Sequence, residues 1–126
     1  MDFENLNNKK IKDVSGLIEN GQICPEELTR FYLQKISSDP RSEEIFTEVY
    51  KKSALASAKE SKQRAKVGLR KGVLDGIPIS VKDLADIKGK LTGGGSSLTN
   101  KEKARNNATF VDNLQNQGVI LSLTHI

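Results

Sequence analysis

A chain of 126 residues, 36% hydrophobic and 29% charged, has the length of one domain and enough apolar material for a modest core, which excludes a disordered polyelectrolyte. One cysteine, Cys24, excludes an internal disulfide, and a single histidine, His125, excludes a Cys/His metal cluster, so neither a metal site nor a cofactor is expected. The net charge of +4 is uneven: residues 1–50 hold six Lys/Arg against ten Asp/Glu, whereas residues 51–105 hold fourteen against five. That basic middle contains no Phe, Tyr or Trp on which bases could stack, so it reads as a solvated helix face and no nucleic-acid partner is expected. No apolar run approaches the roughly 20 residues that cross a bilayer. The start Met1-Asp2-Phe3-Glu4 lacks the basic-then-apolar order of a secretory leader. The expectation is a cytoplasmic chain with no membrane partner.

Ile11, Val14, Leu17 and Ile18 recur at helical spacing and share one stripe of a first helix, which Gly21 stops. Cys24 then occupies an N-cap slot, with Pro25 at the first helical position and Glu26 and Glu27 in the first turn. This second helix runs to about Ser37 on an apolar set of Leu28, Phe31, Tyr32 and Ile36, and Asp39-Pro40 ends it. A third helix, from Tyr50 to about Lys66, has only Ala54, Ala58 and Ala65 as a weakly apolar face and is expected at the periphery.

At Gly72 the pattern changes. Ile77, Ile79 and Val81 are β-branched at alternate positions, and Pro78, which cannot donate to a ladder, marks the start of a strand over Ile77 to Val81. Beyond a Gly-rich loop, Asn107 is expected to cap a helix from Ala108 to about Gln117 with Phe110, Val111 and Leu114 facing inward. Gly118 closes that helix, and Val119 to Leu123 form a second strand. Strand, helix, strand is a βαβ unit, which predicts parallel strands and a right-handed crossover. The fold class is therefore α/β in one domain over residues 1–126, with 1–71 mainly helical and 72–126 a strand-loop-helix-strand.

Lys82 is the candidate catalytic residue, because it directly follows an apolar strand and precedes a loop. A lysine acts as a base only when neutral, which burial or nearby positive charge favours; its alternative is a surface lysine paired with Asp83 or Asp86. Gly93-Gly94-Gly95-Ser96-Ser97 offers backbone freedom, and a Ser96 or Ser97 dyad with Lys82 is the kind of pair that occurs by chance in many loops. Gly89-Lys90-Leu91-Thr92 lacks the Lys-Ser/Thr adjacency and the upstream glycine of a phosphate loop, and Gly93-Gly94-Gly95 never completes G-x-G-x-x-G. His125, at the penultimate position, reads as structural.

The run Gly76-Ile77-Pro78-Ile79-Ser80-Val81-Lys82-Asp83 resembles the opening strand of the amidase-signature hydrolases. The resemblance extends through Asp13-Val14 to Gly21-Gln22-Ile23-Cys24-Pro25-Glu26-Glu27-Leu28, Glu44 to Val49, and Gly72-Val73-Leu74-Asp75-Gly76. It continues in Asp83 to Gly89, Thr92 to Ser96, Asn107-Ala108-Thr109, Gly118 to Leu121 and Thr124-His125. It departs where the family usually reads Gly-Lys-Thr and this chain has Ser122-Leu123-Thr124. The resemblance implies an incomplete piece of the family's mixed sheet. In the full-length form it implies hydrolysis of an amide C–N bond by a Ser-cisSer-Lys relay. Lys82 stands at the position of the lysine that takes a proton from the bridging serine, which in turn activates the nucleophilic serine. The family's two serines and its oxyanion donors lie downstream of Ile126, so the isolated chain is expected to be inactive. The implied partners are a small-molecule amide in the full-length form, and a C-terminal amidase half or self-association. The alternative is a non-enzymatic interaction module that binds a protein through its sheet edge or basic helix.

Overall fold

The computed structural model describes residues 2–98 and 102–126. After a 3-10 turn over Phe3–Asn8, α1 (Ile11–Glu19) and α2 (Pro25–Ser38) form where the apolar spacing predicts them. Gly21 closes α1 at φ 74°, its amide donating to the Ile18 carbonyl in a left-handed conformation that a side chain would resist. Cys24 is the N-cap of α2, but its thiol caps nothing; Pro25 and the acidic first turn set the start. The buried faces are narrower than the sequence suggests. In α1, Ile18 is buried with Val14 and Leu17 beside it, whereas Ile11 is exposed. In α2, Leu28, Thr29 and Leu33 are buried, and Phe31, Tyr32 and Ile36 are only half-buried.

A single helical turn, α3 (Ser42–Ile45), leads into β1 (Phe46–Val49) and then α4 (Lys51–Lys66). Contrary to expectation, α4 is not peripheral. Ala54, Ala58 and Ser61 are fully buried, and the two alanines pack with Leu33 of α2 and with Ile120. Methyl-sized side chains let the backbone come close, so a helix with little apolar signal can still sit against the core. Its basic residues are partly neutralised: Lys62 pairs with Glu26 at 3.1 Å, and Arg64 turns toward Asp75.

β2 (Pro78–Lys82) lies one residue beyond its predicted range, followed by α5 (Thr109–Asn116) and β3 (Ile120–His125). Two expectations about α5 fail. Its N-cap is Ala108, because the Asn107 carboxamide oxygen accepts instead from the Lys88 amide at 2.7 Å; Phe110 points outward, and Val111 alone of the predicted face is fully buried.

The sheet order is β1-β3-β2, with β3 parallel to β2 and antiparallel to β1, which makes a small mixed sheet covered by helices. Central β3 is buried from Ile120 to Thr124. Each of its large apolar side chains contributes about 1.5–3 kcal/mol through burial. Ser122 is the extra residue of a bulge opposite Ile79 and Ser80, and its carbonyl accepts from the Tyr50 amide at 2.8 Å, tying the start of α4 to the sheet.

Between α4 and the turn at Gly118 lies a fully buried carboxylate, Asp75. Arg64 holds it with two bonds of 2.8 Å, Ser61 Oγ donates at 2.7 Å and the Lys71 amide at 2.9 Å. Burial opposes its ionisation, but the Arg64 guanidinium, the Lys71 amide and the Ser61 hydroxyl outweigh it and hold the carboxyl below its ordinary range. Arg70 spans the same turn, donating to the Asp75 carbonyl at 2.8 Å and pairing with Glu19 at 2.7 Å. Gly118 meets this carboxylate without a side chain: at φ 88°, a Cβ there would lie 2.6 Å from Asp75 Cγ and Oδ1. Because the carboxylate is pinned and cannot yield, Gly118→Ala combines left-handed strain with overlap and should cost about 2–4 kcal/mol in urea unfolding. An unchanged midpoint would mean that the turn simply relaxes.

Candidate functional site

Lys82 ends β2, where alternation along the strand brings Ser80 and Lys82 to one face while Val81 turns into the core with Val111 and Leu121. Both Ser80 and Lys82 are exposed. In the parallel register Lys82 sits beside His125, and Ser80 Oγ is hydrogen-bonded to His125 Nδ1. His125 thus joins the strand end structurally, through its side chain and through its carbonyl, which accepts from the Asp83 amide at 2.8 Å.

Asp83 is the residue that sequence reasoning undervalued. Its side chain turns inward and accepts from the Gly93 amide at 2.9 Å, while its carbonyl accepts from the Gly94 amide at 2.9 Å. These two bonds clamp the Gly-rich loop against the end of β2, next to Lys82. Gly93 is required there, since a Cβ would fall 2.4 Å from Asp83 Oδ2. Gly93→Ala should therefore release the clamp and raise hydrogen exchange at the amides of residues 93 and 94, with a stability loss of about 1–3 kcal/mol; unchanged protection would show that the carboxylate has room to move. A glycine ten residues after a Lys-Asp pair was the available signal, but only the fold shows that the two meet.

Neither acid pairs with Lys82. Asp83 is committed to the loop, Asp86 accepts from Thr92 Oγ1 at 2.7 Å, and among the described residues no ion pair includes Lys82. The lysine instead borders a cleft of about 330 Å³ lined by Ser80, Val81, Lys82, Leu84, Ala85 and Phe110. A larger groove of about 760 Å³ runs between α2 and β1, at the opposite edge of the sheet, and contains none of the candidate residues. The return of the loop is fixed by the Gly89 amide on the Ala104 carbonyl and the Ala108 amide on the Asp86 carbonyl, at 2.8 Å each. Ser96 sits in the turn that follows Gly93, its amide donating to the Gly93 carbonyl at 3.2 Å and its hydroxyl accepting from the Leu98 amide at 3.1 Å. Among the described residues no group of His, Cys, Asp and Glu is arranged to hold a metal ion, and no helix is long and apolar enough to cross a membrane.

Comparison with known proteins gives this arrangement a context. A family profile described as Amidase matches residues 27–123. The chain is 36% identical over 113 residues to a mitochondrial glutamyl-tRNA(Gln) amidotransferase subunit of Homo sapiens, covering 90% of this chain and 21% of that protein. It is 30% identical over 109 residues to the corresponding subunit of Chlorobaculum tepidum, covering 86% of this chain and 22% of the relative. Among solved structures, the native peptide amidase of Stenotrophomonas maltophilia aligns with a TM-score of 0.85 at 23% identity, over 95% of this chain and 25% of that one. A fatty acid amide hydrolase aligns with a TM-score of 0.86 at 19% identity, over 97% and 22%. At those identities the structural likeness shows the fold. The chain spans about a fifth of the length of the relatives it matches.

Proposed function

Because the chain belongs to the amidase family, we propose that it is the lysine-bearing N-terminal part of a hydrolase that cleaves amide C–N bonds, with Lys82 as the base. What supports this most is the position of Lys82: at the end of a strand within the matched segment, without a carboxylate partner among the described residues, facing a cleft, and beside a glycine loop clamped by Asp83. In the complete site, Lys82 takes a proton from a bridging serine, which takes one from the nucleophilic serine as that oxygen attacks the amide carbon; the C–N bond then breaks, the nitrogen leaves as ammonia on receiving that proton back through the relay, and water cleaves the acyl-serine ester to a carboxylate and the free serine. Both serines come from the part of the family domain beyond this segment. Enclosure by that part removes water from Lys82 and favours the neutral amine that a base requires. The substrate class is a small-molecule or acyl amide, in line with the amidase and amidotransferase names of the relatives.

Supplying the remainder of the domain tests the assignment. The 126-residue chain alone should hydrolyse no simple aliphatic or aromatic amide above a buffer control. Combined with the C-terminal remainder of a relative, it should gain hydrolysis that requires Lys82. Turnover by the chain alone that vanishes in Lys82→Ala would instead point to a dyad with Ser96 or Ser97.

A further inference from the structure

Lys82 has two neighbours that the proton relay does not use. From Ser80 onward the parallel register is unbroken, with Ser80 opposite Leu123 and Lys82 opposite His125. Residues paired across parallel strands point to one face, so Ser80, Lys82 and His125 share a face of the sheet while Val81 and Thr124 share the other. On that face Ser80 Oγ is hydrogen-bonded to His125 Nδ1, although His125 lies two residues beyond the register partner of Ser80. The imidazole therefore leans back along the strands and occupies the β3 side of the Lys82 stem. The cleft lies on the other side of that stem, bounded by Leu84, Ala85 and Phe110.

The strand ends do not need this bond to stay together. Backbone bonds hold them, from the Asp83 amide to the His125 carbonyl at 2.8 Å and from the Ile126 amide to the Ile45 carbonyl at 3.0 Å. Lys82 does need a neighbour. A lysine carries about 2 kcal/mol of rotamer entropy, and a misplacement of about 1 Å can cost on the order of 10² in rate, so a base on a flexible stem gains from whatever limits its swing. A carboxylate would limit it but would also favour the charged ammonium, which cannot act as a base. The two nearby acids are turned elsewhere, Asp83 to Gly93 and Asp86 to Thr92. An imidazole whose Nδ1 accepts from a hydroxyl carries its proton on Nε2 and no net charge, so it confines the stem without holding the amine protonated.

We infer that Ser80 and His125 are positioning residues for Lys82: their hydrogen bond closes the β3 side of the lysine stem with a neutral ring and directs the amine toward the cleft, where it meets its proton donor. The inference rests on the amidase reading above. The bond is the device, and neither side chain performs the task without the other.

The test uses the complex of this chain with the C-terminal remainder of the Chlorobaculum tepidum relative. Ser80→Ala and His125→Leu each remove the bond and leave the backbone bonds of the strand ends in place. Each should lower kcat by about tenfold, with KM and co-purification of the two parts unchanged. Because both break the same bond, the double variant should lose no more than either single one. His125→Asn, whose carboxamide oxygen can accept from the Ser80 hydroxyl near the place of Nδ1, should restore most of the rate, whereas a leucine of similar bulk does not. In the 126-residue chain alone, nitrogen NMR in mildly alkaline buffer should show His125 protonated at Nε2 and bare at Nδ1, a preference that Ser80→Ala weakens. Full kcat in Ser80→Ala and His125→Leu, with Lys82→Ala inactive, overturns the inference and leaves the base standing. So do losses that add in the double variant, a His125→Asn no better than His125→Leu, or a tautomer indifferent to Ser80→Ala. A complex that is inert, or that is equally active with Lys82→Ala, defeats the reading of Lys82 as the base, and the inference falls with it.

Discussion

Replacing Arg64 by alanine is expected to remove about 3–5 kcal/mol of stability at pH 7, because it leaves the Asp75 carboxylate buried without its cation. Against a typical domain stability of about 5–15 kcal/mol, that loss leaves a substantial unfolded population. The pH dependence should also change sign. In the unmodified chain the carboxyl titrates below its ordinary value of 3.8, so on acidification the unfolded chain binds the proton first. The contribution of Asp75 is complete above that value and disappears as pH falls through the depressed folded one. In Arg64→Ala, burial is opposed only by the Lys71 amide and the Ser61 hydroxyl, and the folded carboxyl titrates above the unfolded one. From about pH 4 upward the folded form then holds the extra proton, so stability falls as pH rises. Urea midpoints at pH 5 and pH 7 decide it: Arg64→Ala should be the more stable at pH 5, with little change in the unmodified chain. A flat profile and a loss under about 1 kcal/mol would show that water reaches Asp75 when Arg64 is removed.

The largest effect on activity is expected at Lys82 in the reconstituted enzyme. A general base contributes about 10²–10⁴ in rate, so Lys82→Ala should lower kcat by that factor, while KM should change little if Lys82 acts only in the proton transfer. Ser96→Ala and Ser97→Ala should retain most of the activity, because the proposed mechanism draws its nucleophile from the remainder and the Ser96 amide and hydroxyl hold their own turn. A Lys82→Ala complex as active as the unmodified one would remove Lys82 from the mechanism. A loss confined to Ser96→Ala would place the nucleophile in the glycine loop.

The elements that could be read from the sequence are those whose causes are local. Pro25 after Cys24, Gly21, and the alternation of Ile77, Ile79 and Val81 behind Pro78 each act within a few residues, and the corresponding helices and strand lie where these signals put them. The parallel pairing of β2 with β3 followed from strand-helix-strand order alone. What could not be read depends on partners brought together by the fold. Arg64 and Arg70 looked like members of a solvated basic face, yet both turn to Asp75, 11 and 5 residues away across a turn. Asn107 had a helix cap's position and identity, but the Lys88 amide, 19 residues earlier, takes its oxygen. Phe110 belongs to an apolar set by spacing, but its side chain borders the cleft of Lys82. Lys82 itself stood out because a lysine after an apolar strand is conspicuous in one dimension; that Asp83 holds the loop beside it required the third.

The strand order carries a consequence for biosynthesis. β1 and β2 do not pair with each other, and each pairs with β3, the last strand of the segment to emerge during translation. A ribosome-bound chain halted before Ile120 can form α1, α2 and α4 from local contacts, but no two of its strands can share a hydrogen bond. Sheet formation is thus deferred to the final residues of the segment, and Ile77, Ile79 and Val81 remain without their strand partner throughout the delay. Their exposure then scales with elongation time, which makes this a segment whose yield should depend on translation speed and on the holdase capacity of the cell.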